Sequence, residues 1–76
     1  MKTLQIYIVR QPLLIDNVTL IYTILVAAIS KEVALKGIIN KYPKFHNLLE
    51  INHLHLIDGL VESYNKEYKE IYLSVD

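Results

Sequence analysis

Along residues 3–10, TLQIYIVR, apolar and polar positions alternate. Leu4, Ile6 and Ile8 point one way, and Thr3, Gln5 and Tyr7 the other. That period of two predicts a half-buried strand, bounded by Lys2 and Arg10. Pro12 stops a ladder and suits a first helical turn, with Asp16 or Asn17 as the alternative cap. From Val18 to Ile29 the chain is apolar nearly all round, with a thin polar line through Asp16, Thr19, Thr23 and Ser30. A helix of that kind is enclosed by protein. Ser30, followed by Lys31 and Glu32, caps a second helix in which Gly37 costs about 1 kcal/mol. Residues 13–41 therefore read as one long helix or two consecutive ones, ended by Pro43.

Asn47 and Glu50 have the spacing of a capping box. Beyond them Leu49, Leu56, Ile57, Leu60, Val61, Tyr64, Tyr68, Ile71 and Tyr72 recur at three- and four-residue steps, an amphipathic helical stripe. Asp58-Gly59 offers an alternative break, with Leu49, Ile51, His53 and His55 alternating as a strand. The final IYLSV alternates again and predicts a short terminal strand. The expected fold is mainly α (α+β), one domain over residues 1–76. It has a short N-terminal strand, then a helical hairpin broken near Tyr42-Pro43, then the terminal strand.

Quantity adds a partner to this picture. Leu, Ile, Val and Phe make 30 of the 76 residues, whereas a domain this small buries only about 60% of the surface its unfolded chain exposes. The excess predicts an intertwined homodimer, with Leu4, Ile6, Ile8, Leu20, Ile24, Leu60, Tyr64 and Tyr68 at the contact between copies or with another protein. The absence of cysteine removes disulfides and thiol chemistry. The net charge is zero, but residues 1–45 carry six cations against two acids and residues 46–76 carry two against six, so the halves are +4 and −4. Such a split suits self-association or leaves the front half to meet a polyanion. The apolar run Val18–Ile29 reaches about 18 Å as a helix, short of the ~30 Å of a bilayer core. A membrane helix is therefore not expected; nor is a signal peptide, since the run begins late, follows a strand-like segment and lacks a small-residue cleavage site, and the expected location is the cytoplasm.

Chemistry has little to build on. His46, Glu50 and His53 stand at i, i+4 and i+7, and Glu50 to His53 spells the Glu-x-x-His of dimetal bundles, but one copy is ordinary at a helix start and no metal is expected. Ser30, Ser63 and Ser74 lack an elbow motif, and two isolated glycines make no phosphate loop. The reading is a non-enzymatic, cofactor-free oligomeric interaction protein, an adaptor or inhibitor. It would present a helix face or its acidic C-terminal half to another protein, with no small-molecule substrate. The alternative is a homodimeric β-ribbon DNA-binding regulator. Two N-terminal strands would pair and offer Thr3, Gln5 and Tyr7 to the major groove, with Lys2, Arg10, Ser30 and Lys31 near phosphates. A third reading is a small membrane-associated protein built on residues 12–29.

Overall fold

The computed structural model describes residues 2–64 and 67–75, with side chains described for 3–57 and 67–69. The chain is mainly β, which corrects the mainly helical fold expected from its pattern. Strands β1 (Lys2–Ile15), β2 (Val18–Ala28), β3 (His55–Tyr64) and β4 (Tyr68–Val75) form one antiparallel sheet in the order β3-β1-β2-β4. One helix, α1 (Lys31–Lys41), follows the first hairpin, and 3-10 turns at Pro43–Phe45 and Ile51–His53 lead into β3.

The first hairpin is set by its turn. Asp16 and Asn17 both have left-handed backbones, φ 52° and 63°, the geometry of a two-residue type I′ turn, whose twist matches that of the flanking strands. Ile15 closes the loop against Val18, and the register then runs unbroken to Gln5 opposite Ala28. In such a hairpin the closing pair is hydrogen-bonded and the pairs alternate from there. Odd-numbered residues of β1 thus bond to β2, while even-numbered ones direct their N–H and C=O groups the other way. Pro12, opposite Ile21, is even-numbered. Its missing N–H costs the β1–β2 ladder nothing, so it lies within a strand where it had been expected to end one.

The helix expected over residues 13–41 is therefore only its last third. Val18–Ala28 is a strand because its apolar character on both sides suits a sheet covered on one face by α1 and carrying further aliphatics on the other. Ser30 does cap α1: its Oγ accepts from the Val33 N–H at 3.2 Å, and its carbonyl accepts from Ala34 at 3.0 Å. Glu32 in the first turn and Lys41 in the last complement the helix dipole, and Pro43 follows directly. The C-terminal helical stripe is also corrected. Residues 55–64 and 68–75 are the two edge strands, so the expected terminal strand at IYLSV is the end of a longer β4.

One face of the sheet carries the core. Tyr7, Val9 and Leu13 of β1 and Tyr22, Ile24, Val26 and Ala28 of β2 pack with Ala34 and Ile38 of α1 and with Phe45, Leu49 and Leu54. Phe45 is fully buried; its ring meets Tyr22 edge-on at 5.0 Å and Tyr42 at 6.0 Å. The Lys44 ammonium lies 5.5 Å from the Tyr22 ring centre and 5.8 Å from that of Phe45, capping the aromatic group with a cation–π contact. Gly37 admits the Tyr68 ring to the helix surface. A methyl built there would sit 2.7 Å from Tyr68 Cγ, closer than carbon atoms approach.

Candidate interaction surface

Directly opposed residues of neighbouring strands share a face, so the second face of the central hairpin is read from the register. It carries Leu4, Ile6, Ile8, Arg10, Pro12 and Leu14 from β1, and Thr19, Ile21, Thr23, Leu25 and Ala27 from β2. Exposure rises along it from base to tip. Leu4 and Ala27 are 0% exposed, Ile6, Ile8 and Leu25 are half-buried, and Ile21 and Leu14 reach 40% and 57%.

The tip stands beyond its neighbours. Pairing with β3 stops at Ile8 opposite His55, and pairing with β4 stops at Tyr22 opposite Val75. Residues 9–21 therefore project as a two-stranded arm on the β3 side, and residues 18–21 lie beyond the end of β4. Val18, on the helix-side face but past the cover of α1, is also exposed at 52%. A two-stranded ribbon is marginal by itself, and this one is edged with Leu14, Val18 and Ile21 around an exposed Asp16-Asn17 turn.

The residues expected to meet a partner are distributed differently from the expectation. Leu4, Ile6 and Ile8 do share a face, with Leu4 covered and the other two half-buried. Ile24 belongs to the core under α1, 1% exposed, and Leu20 is half-buried against that same core. Tyr68 packs against Gly37 within the subunit. The side chains of Leu60 and Tyr64 lie outside the described residues. Leu14, Val18 and Ile21, the most exposed large aliphatics of the arm, were not singled out by periodicity. The signal available was the Asp-Asn pair between two apolar runs, a hairpin turn that leaves both flanks at a tip.

The candidate DNA-contacting residues do not form one presented ribbon. β1 is an inner strand, paired on both sides over residues 5–8. Tyr7 is 5% exposed in the core, and its hydroxyl donates to Gln5 Oε1 at 3.4 Å. Thr3 and Arg10 are exposed, and Gln5 and Lys31 half-buried. Arg10 stands on the face opposite to Tyr7. The Lys2 side chain lies outside the described residues. Ser30 already accepts a first-turn amide of α1.

His46, Glu50 and His53 do not converge either. His46 Nδ1 pairs with Asn47 Oδ1 at 3.1 Å, and the Glu50 N–H donates to His53 Nδ1 at 2.9 Å. Glu50 and His53 form a reciprocal capping box on the 3-10 turn, displacing the Asn47–Glu50 box expected three residues earlier. Among the described residues no group of three or more His, Asp or Glu is placed to hold a metal. A groove of about 900 Å³ runs beside α1, bounded by Val33, Lys36, Gly37, Asn40, Glu67 and Tyr68. Among the described residues no helix is long and apolar enough to cross a membrane, and the Val18–Ile29 run assigned to that role is β2.

The arm carries three of the five exposed large aliphatic side chains among the described residues, Ile51 and Leu56 being the other two, and no family model, no curated protein and no solved structure matches this chain.

Proposed function

We propose that the protein is a non-enzymatic interaction protein that associates reversibly with a second copy of itself through the open face of its β1–β2 arm. The observation that carries the reading is the gradient of exposure on that face, ending in Leu14 and Ile21 at the tip. From Ile6 to Ile15 the strip is about 33 Å long and about 10 Å wide, given ~3.3 Å per residue and two strands ~4.8 Å apart. Its plan area is roughly 330 Å², with Arg10, Thr19 and Thr23 interspersed among its aliphatic groups, so its apolar part is a small patch by the standard of functional ones. It is below the ~800 Å² per partner of a standard interface, which places the pairing in the weak, concentration-dependent class. A flat, pleated strip fits another sheet surface, packed at ~10 Å, better than it fits the flank of a helix. A second copy supplies that surface with two-fold symmetry. The exposed residues of α1, by contrast, are Glu32, Lys36, Asn40 and Lys41, which favour water over a helix-face contact.

Sedimentation velocity over a concentration series tests this. The wild-type chain should shift from monomer towards dimer as concentration rises. The double variant Leu14→Glu with Ile21→Glu should remain monomeric over the same range, with an unchanged far-ultraviolet circular dichroism spectrum. A wild-type chain that stays monomeric throughout, or a double variant that dimerises equally well, overturns the reading.

A further inference from the structure

A projecting β-arm can associate by its face or by its edge, and only the first gives a closed pair. We infer that Pro12 closes the β1 edge of this arm to strand addition, so that association through the face ends at a dimer. The inference rests on the reading of the arm as an association surface and adds to it what limits the assembly.

Beyond Ile8 no strand among the described residues pairs with β1 on the side away from β2. Residues 11–15 offer an edge about 17 Å long at ~3.3 Å per residue, rich in aliphatics, the kind of edge that recruits another strand. The type I′ turn and its register decide which backbone groups face that edge. Odd-numbered residues bond to β2, so positions 12 and 14 direct their N–H and C=O groups outward along this edge. Pro12 is the first of the two and is exposed. It has no N–H to give an incoming strand, and its ring occupies the space through which that strand's carbonyl would approach. An added antiparallel strand would lose one of the two N–H donors this edge would otherwise offer and meet the pyrrolidine. The same residue leaves the open face intact, because its ring adds apolar area beside Ile21, its partner across the hairpin.

Pro12→Val, measured by sedimentation velocity and by amide hydrogen exchange, tests the inference. A β-branched residue restores the outward N–H and favours the strand. The variant should form species larger than a dimer that grow with concentration, and in them the position 12 and Leu14 amides should exchange at least tenfold more slowly than in the dilute variant. A Pro12→Val chain with the wild-type mass distribution overturns the inference. The wild-type chain supplies a measurement that needs no substitution. Its mass distribution should stop at the dimer at the highest concentration reached, and wild-type species larger than a dimer also overturn the inference. The two proposals fail separately. If Leu14→Glu with Ile21→Glu leaves dimerisation unchanged while Pro12→Val enlarges the assembly, the closed edge stands and the face reading falls.

Discussion

The two faces of the central hairpin are built from similar side chains and end in different states. On the helix side Tyr7, Val9, Leu13, Tyr22, Ile24 and Val26 are all nearly or fully buried and strong exposure begins only at Val18 beside the turn, whereas on the other side coverage fades along the strand from Leu4 to Leu14. Hydrophobicity does not separate them, since Ile and Leu occur on both. What separates them is a second layer. Ser30 starts α1 immediately after β2, Ala34 and Ile38 lay it on the sheet, and Phe45 with Leu49 extends the cover towards the arm. With 30 bulky apolar residues and one short helix among the described residues, the hairpin has one face covered and the other with Leu14 and Ile21 exposed.

Substitutions on the two sides should therefore differ in scale. Phe45→Ala removes a fully buried ring and its contacts with Tyr22 and Tyr42, a loss of about 3–5 kcal/mol. Against a total near 0.1 kcal/mol per residue, about 8 kcal/mol for a chain of 76 residues, that should lower the midpoint of urea unfolding by roughly half. Leu14→Ala, at 57% exposure, should cost about 1 kcal/mol or less in the monomer. Equal losses at these positions would erase the distinction between covered and open faces.

Gly37→Ala addresses the cover itself. In an exposed helix this change gains about 1 kcal/mol. Here the new methyl meets the Tyr68 ring, so the expected result is a net loss of about 1–3 kcal/mol, read from the same unfolding curves. Stabilisation would show that the ring does not rest on the helix. Ser30→Ala should cost about 1 kcal/mol through loss of the cap on Val33. A thermal melt should show it as a modest drop in midpoint, and an unchanged melt would show that the cap contributes nothing.

Some of this was legible in the chain and some was not. The alternation at residues 3–10, the Ser30 cap and the stop at Pro43 each stand where local chemistry put them. Val18–Ala28 was read as a helix because a run apolar on nearly every side suits a buried strand equally well. Six of its eleven residues, Val18, Thr19, Ile21, Thr23, Ile24 and Val26, are β-branched, and that preference pointed to the strand. β3 was misread for a different reason. Leu60 lies opposite Gln5 and Leu56 opposite Tyr7, so Ile57, Asp58 and Gly59 face Ile6 alone. A bulge of this kind breaks the period of two and leaves apolar residues at three- and four-residue steps, which imitates a helix. β4 does the same on a smaller scale, with Ile71 as the extra residue between those opposite Leu25 and Val26. The candidate surface was hidden by the same error, because an arm exists only once both of its strands are recognised.

The left-handed pair at Asp16 and Asn17 has one more effect. A two-residue reversal holds no slack, so it acts as the index mark from which every pairing in the hairpin is counted. Shifting that mark by one position would hand Leu13 and Tyr22 to the solvent and draw Leu14 and Ile21 beneath the helix. Which aliphatic groups of the hairpin face outwards is thus settled by the two polar residues of its turn.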